Sequence, residues 1–441
     1  MGAVLHAVPV LRAPGQPRAG SEAITGGLRC LVLLLCMLLL AGCVRDDPAT
    51  ALLEDYRTRM ARVLDVDPDP LAVPPLVPWP RGRERTLAIP AQRASLREFL
   101  QLQQCALGPL IGARSGALGR VMQPSQRLQY ELRFLRQARL CRERSADPAR
   151  AGEPLGDLAG ASARDSAGDW TAHAPARADA PAAPDPVDAA SEGPAPARAV
   201  QEALPAAGEG GLARADEDAL ALLDEVLRIK REQLGAVVWN ATLGDAALAA
   251  HLALDVGPLP PERAAGAGRD ATGALQRLTA VIRGADRDAP LPPDWEQPWQ
   301  TLDRSVFGGE TRRSMALLTA VFDDVADWIE LREAQRPVCP LGRPTPAAEI
   351  LRNVFWRYYA ARVQPYLANV STRAERWLEA MEALRGVQPA EAPAGFDARV
   401  APVLDRYAQD SEWQRLVQAR DRHTRAWQAL LERCNLGPGS D

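Results

Sequence analysis

Residues 315–329 read MALLTAVFDDVADWI. At 100° per residue, Met315, Leu318, Phe322, Val325 and Ile329 fall within about 60° of one direction. Asp323, Asp324 and Asp327 fall roughly 120–180° away. One apolar stripe opposite one polar face predicts an amphipathic helix resting on a core. A strand would alternate with period two, and this stretch does not.

The same spacing recurs outward in both directions. Leu52, Leu53, Tyr56, Met60, Val63 and Leu64 give it over 49–64, and Leu96, Phe99, Leu100 and Gln103 over 91–111. Pro124 is placed to open a helix buried through Leu128, Leu132 and Leu135. Periodicity resumes at Asp218, with Leu222, Val226 and Ile229. Asn240 is read as a cap for 241–253 and Glu310 as the start of 310–333. Thr345-Pro346 and the Ser411/Gln414 pair are further helix starts. Between these stand a proline-dense extended connector at 65–90 and a glycine-containing loop at 112–123. No convincing strand pattern appears. The fold class expected is all-α: a single multi-helix domain with a long carboxyl-terminal helical hairpin.

Composition breaks the pattern once. Residues 146–215 are mostly Ala, Pro, Gly, Asp and Arg. Such a segment buries too little apolar surface to offset its ordering entropy, so a disordered insertion is predicted there. Charge divides at the same place: residues 81–145 hold thirteen arginines against four acids, and 146–225 hold sixteen acids against five arginines. A basic helical face can meet anionic lipid or be screened by the acidic segment; a plain solvated face is the simpler reading. The whole chain has a formal net charge of -4, which does not suggest a nucleic-acid partner. Lys230 is the only lysine.

The amino-terminal end carries an address. Residues 30–42 form an apolar run with Arg29 before it. Thirteen residues are too few to span a bilayer, which takes roughly 20, but they suit a signal peptide. The tetrad Leu40-Ala41-Gly42-Cys43 resembles a bacterial lipobox, in which the cysteine sulfur receives a diacylglycerol and the chain is cut before it. The expected organisation is a signal peptide at 1–42, a membrane-proximal helix and connector at 43–90, and a helical domain at 91–441 interrupted by the insertion. Val44 rather than Asp after Cys43 favours the outer membrane, with the chain facing the periplasm.

Several stretches in order, QPSQRLQYELRFL at 123–135, VVWNATLG, RSMALLTAVFDDVADW, RPVCP, LRNVFWRYYAARVQPYL at 351–367 and RHTRAWQALLERC, resemble a family of gammaproteobacterial lipoproteins catalogued as domain of unknown function three-zero-eight-zero. The resemblance covers most of 48–436 and skips the insertion. It implies a single helical domain and a lipoprotein, and no activity.

Candidate chemistry is thin. Asp323, Asp324 and Asp327 match the D-D-x-x-D of isoprenoid synthases, which holds Mg²⁺ against a diphosphate. On this helix the aspartates lie opposite the core, so a solvated face is the reading preferred. After cleavage at Cys43 only His173, His251 and His423 remain, without a partner at metal spacing. No G-x-S-x-G, Cys-x-x-Cys or phosphate loop occurs, so no catalytic residue, metal or cofactor is expected. Phe307 to Glu310, FGGE, is a glycine-rich helix start that can attract an anion but reads more simply as a turn. In 355–359, FWRYY, rings point all around the helix, so one side meets something other than the main core. Another helix of the same domain is the plainer partner; a peptide, glycan or lipid groove is the sharper one, with Phe355, Trp356, Tyr358 and Tyr359 as the candidate binding patch.

Cleavage and lipidation leave Cys105, Cys141, Cys339 and Cys434, an even number in an oxidising compartment. A helix over 346–386 runs about 60 Å and a helical return over 396–434 about 58 Å. Matched arms bring Cys434 beside Cys339, and Cys105 then pairs with Cys141 by elimination. The functional expectation is a membrane-anchored binding or scaffolding component of the cell envelope, contacting an envelope protein, lipid or peptidoglycan. The alternative is an unrecognised envelope enzyme such as a hydrolase, which would gather His, Ser, Asp or Glu groups around a pocket.

Overall fold

The computed structural model describes residues 47–92, 95–103, 105, 107–146, 217–285 and 292–437. Cys43, the expected signal peptide and all of the expected insertion but Ala146 lie outside them. The described residues are helical, with no strand among them.

Helix α1, Pro48–Leu64, starts where sequence chemistry puts a start: the Asp47 carboxylate accepts a hydrogen bond from the Ala49 N–H at 2.9 Å, and Pro48 follows. Leu53, Tyr56, Met60 and Leu64 on its inner face are buried. The connector is extended except for one turn at Gly82–Arg85, and it buries Trp79. Then come α2 Leu96–Gln103, α3 Gly108–Ser115, α4 Pro124–Ala146, α5 Glu217–Ala241 and α6 Ala246–His251. After a single turn at Pro261–Ala264 follow α7 Arg269–Ala285, α8 Gln297–Asp303 and α9 Phe307–Gln335. The chain finishes with α10 Pro346–Val354, a π-helix Phe355–Val363, α11 Gln364–Gly386, α12 Phe396–Leu404 and α13 Glu412–Arg433.

The central helix is α9. It packs most extensively on α13, and also on α1 and α11. Its predicted stripe of Met315, Leu318, Phe322, Val325 and Ile329 is buried. In its first half, Thr311, Arg312 and Ser314 are buried too, because neighbours surround it on every side. The buried apolar residues form two clusters. The larger gathers α1 and most of the chain from Val237 onward; the smaller joins α2, α4 and α5 through Leu102, Phe134, Leu135, Leu223 and Leu227. We call these the body and the lobe; α5 runs through both.

Some local expectations are corrected. Leu96 and Leu100, placed on the buried stripe, are 74% and 53% exposed, while Leu102 is 2% exposed. In so short a helix, leucines point several ways, and tertiary contacts choose the inner face. Residues 112–123 are not all loop: α3 and a turn at Ala117–Arg120 occupy much of them. Asn240 caps nothing. Its side-chain amide accepts from the Leu87 N–H at 2.7 Å and donates to the Leu87 carbonyl at 2.8 Å, pinning the connector; Asp245 caps α6 instead.

The carboxyl-terminal arms do run back over one another at their open end. Cys339 bonds to Cys434 with Cα atoms 5.2 Å apart, Phe355 meets Trp427 and Tyr359 meets His423. Neither arm is one rod. The first widens into the π-helix just before Pro365, and the second breaks between α12 and α13. Pro365 has no N–H and its ring crowds the carbonyl four residues back. The wider turn relieves that crowding; the Gln364 N–H reaches the Tyr359 carbonyl, five residues back. The second disulfide, Cys105–Cys141, also spans 5.2 Å between Cα atoms and staples the lobe.

Candidate functional site

The π-helix splits the predicted aromatic patch between two environments. Tyr359 is buried, Phe355 and Tyr358 are half-buried, and Trp356 is 58% exposed. The Arg59 guanidinium covers Tyr358, 3.8 Å from its ring centre. Of the four, only Trp356 presents a large exposed face.

Behind Phe355 and Tyr359 lies a buried polar chain that links α1 to α13. The Trp427 indole N–H donates to the Tyr56 hydroxyl at 2.9 Å. Tyr56 lies 2.8 Å from His423 Nε2. Because the hydroxyl already accepts from Trp427, it donates to Nε2, and the ring proton of neutral His423 sits on Nδ1. No hydrogen-bond acceptor for Nδ1 occurs among the described residues. The ring stacks on Phe322 with centroids 4.5 Å apart. Burial pushes the His423 pKa down to about 3 and raises that of Tyr56 well above its ordinary value.

His251 is also fully buried and is saturated with partners. The Trp377 indole N–H donates to Nε2 at 3.0 Å, which places the ring proton on Nδ1, and Nδ1 donates to the Ser305 carbonyl at 2.9 Å. Burial lowers its pKa to about 4, against the opposing effect of the Ser305 bond. Neither imidazole has a free lone pair facing solvent, and the two are held by separate networks. His173 lies outside the described residues.

The aspartate motif is used inside the fold. Asp324 accepts from the buried Arg57 at 2.7 Å, and Asp327 pairs with Arg422. Asp323 is half-buried, and burial raises its pKa. The motif therefore clamps α9 to α1 and α13, where a solvated face was expected. No group of three or more His, Cys, Asp or Glu placed to hold a metal occurs among the described residues.

FGGE is a packing device. A Cβ on Gly309 would stand 1.9 Å from the Ala253 carbonyl oxygen, and one on Gly308 2.8 Å from that of His251. Carbonyls, not an anion, face this helix start. A shallow groove of about 380 Å³ lies nearby, lined by Pro48, Ala51, Leu52, Asp55, Pro261 and Arg362. Asp55 and Arg362 pair across it at 2.9 Å, so its charges neutralise one another.

Sequence reasoning missed the Trp427–Tyr56–His423 chain and the buried ion pair of Arg312 with Glu412. His423 and Trp427, four apart on one helix, were a visible signal. Tyr56 lies 367 residues from His423, and nothing local pairs them.

A family model described as Protein of unknown function (DUF3080) matches residues 53–153 and 211–438. The chain belongs to this family. The DUF3080 match omits residues 154–210, the middle of the expected insertion, and takes in the helices of both body and lobe. No curated protein and no solved structure matches the chain.

Proposed function

We propose that this DUF3080 protein is a binding or scaffolding component of the cell envelope, lipid-anchored through Cys43 at the outer membrane and facing the periplasm. The observation that carries the binding reading is α2, which turns Leu96 and Leu100 to solvent although the lobe core lies directly beneath it. Exposed apolar side chains on a helix edge are a contact surface. Two disulfides suit an oxidising compartment. No helix among the described residues is long and apolar enough to cross a membrane, so attachment falls to Cys43. Lipid on this residue would place α1, which begins five residues later, close to the bilayer.

Two experiments test the reading. Cys43→Ser should move the protein from the membrane fraction to the soluble fraction, or leave its leader uncut. A processed serine variant that remains membrane-bound rejects the anchor. Photo-crosslinkers placed at 96 and 100 in cells should give a discrete adduct absent from a probe at Arg343. Equal labelling at all three positions rejects the contact surface.

A further inference from the structure

The two disulfides differ in access. Cys339 and Cys434 are each 1% exposed and belong to the body core. Cys105 is buried as deeply in the lobe, but Cys141 is only half-buried and packs at the margin of the lobe core. A thiolate attacks a disulfide at one of its two sulfurs, so one accessible cysteine is enough. Of the four bonded cysteines, Cys141 is the one that a dissolved thiol can approach while the body stays closed.

They differ also in what they hold. Cys339 and Cys434 follow α9 and α13, which already make the most extensive helix contact among the described elements. Cys105 follows α2, which has little else to hold it. Of the described side chains of α2 only Leu102 is buried, while Leu96 and Leu100 face solvent. Gln137 on α4 adds one hydrogen bond, to the Cys105 carbonyl at 3.3 Å. α4 and α5 hold each other without the disulfide. Lys230 donates to Glu131 at 2.5 Å, Arg142 pairs with Asp224, and Phe134 and Leu135 share a core with Leu223 and Leu227.

We propose that the Cys105–Cys141 disulfide is a thiol-operated latch: its reduction releases α2 and withdraws the leucine face that this helix presents. The reductant class is a dithiol. Its first thiolate attacks Cys141 Sγ, the bond to Cys105 Sγ breaks, and Cys105 leaves as a thiolate that takes a proton from water. The second thiolate of the dithiol then attacks its own sulfur in the mixed disulfide, and Cys141 leaves in turn. The protein gains the two electrons that the dithiol loses. Eight residues are too few for a helix to persist unsupported. Once released, α2 melts, and Leu96 and Leu100 no longer form one face. The loss of contact rests on the proposed contact surface at these leucines; the latch itself does not.

The test adds graded dithiothreitol to the folded full chain, purified without reductant in neutral detergent, and maps free thiols by alkylation. Cys105 and Cys141 should open at least tenfold faster than Cys339 and Cys434. Hydrogen exchange on the half-reduced protein should quicken at least tenfold in α2, more than in α4 or α5, with α9 unchanged. Cys105→Ser with Cys141→Ser should show the same exchange without reductant, its protected α9 attesting that the body is folded. Equal opening of the two disulfides, earlier opening of Cys339–Cys434, or unchanged exchange in α2 after reduction overturns the latch. The adduct from a crosslinker at 100 should disappear in the serine variant, and an adduct that persists there overturns the withdrawal of the face. Selective opening with fast exchange in α2, but no adduct from either protein, supports the latch while the contact surface falls.

Discussion

The body and the lobe use the same devices in different proportion. Each has a disulfide, Cys339–Cys434 in the body and Cys105–Cys141 in the lobe. Each has a buried ion pair. In the body, Arg312 makes two bonds to Glu412, at 2.8 and 2.6 Å, and its guanidinium also donates to the Val77 carbonyl. In the lobe, Lys230 meets Glu131 at 2.5 Å and lies over the rings of Tyr130 and Phe134. A planar fork suits the body site, where three oxygens converge. A compact ammonium suits the lobe site, where rings close in. The lobe core is much the smaller, so covalent and ionic links carry a larger share of its stability.

The largest effect expected is in the body. Arg312→Met leaves the Glu412 carboxylate buried without its partner, a loss of about 3–5 kcal/mol. Denaturant melts should show it as global destabilisation, and Arg312→Met with Glu412→Leu together should recover much of it. A mild effect of the single variant would mean that the body tolerates a lone buried charge.

Removing Cys105 and Cys141 as a pair of alanines should cost about 2–4 kcal/mol, confined to the lobe. Hydrogen exchange should quicken in α4 and in the first half of α5, while α9 keeps its protection. Equal loss in α9 would show that body and lobe unfold as one unit.

Acid should separate the two regions. Both described histidines lie in the body, and their folded pKa values, about 4 and about 3, are below the unfolded value. The unfolded chain therefore takes up protons that the folded chain refuses. Below about pH 6.5 each histidine costs about 1.4 kcal/mol per pH unit. Asp245 works in the opposite sense: burial lifts its carboxyl to about 6, so stability returns as pH falls from 6 toward 4. Between pH 6 and 4 Asp245 offsets about one of the two histidines. Melting curves at pH 7, 6 and 5 should fall accordingly, and His251→Gln should flatten the slope. Exchange in the lobe should change less than in the body over that range.

The smallest effect is expected at the lobe surface. Leu96→Gln with Leu100→Gln should shift stability by no more than about 0.5 kcal/mol. A larger loss would place these leucines in the lobe core.

Local chemistry was legible on the central stripe and at two helix starts. The stripe on α9, the Thr345 cap and the Ser411 cap are all seen, with Ala348 N–H to Thr345 Oγ1 at 3.2 Å and Gln414 N–H to Ser411 Oγ at 3.1 Å. What could not be read depends on residues far apart. Arg57 and Asp324 are 267 positions apart, and an aspartate facing away from one helix's stripe can still face another helix. The exposure of Leu96 and Leu100 was hidden for the same reason: spacing marks an apolar stripe but not what lies beneath it.

The single lysine makes the chain unusual as a substrate for an endoprotease that cuts only after lysine. It offers one peptide bond, after Lys230, whose side chain is buried in the lobe. The two products, residues 1–230 and 231–441, would each keep one disulfide, Cys105–Cys141 in the first and Cys339–Cys434 in the second. After denaturation without reductant, correctly bonded protein would separate into two bands on a gel, and a bond from Cys105 or Cys141 to Cys339 or Cys434 would hold the two products together as one. Under native conditions the rate of that single cut would time the opening of the lobe, with the body left out of the measurement.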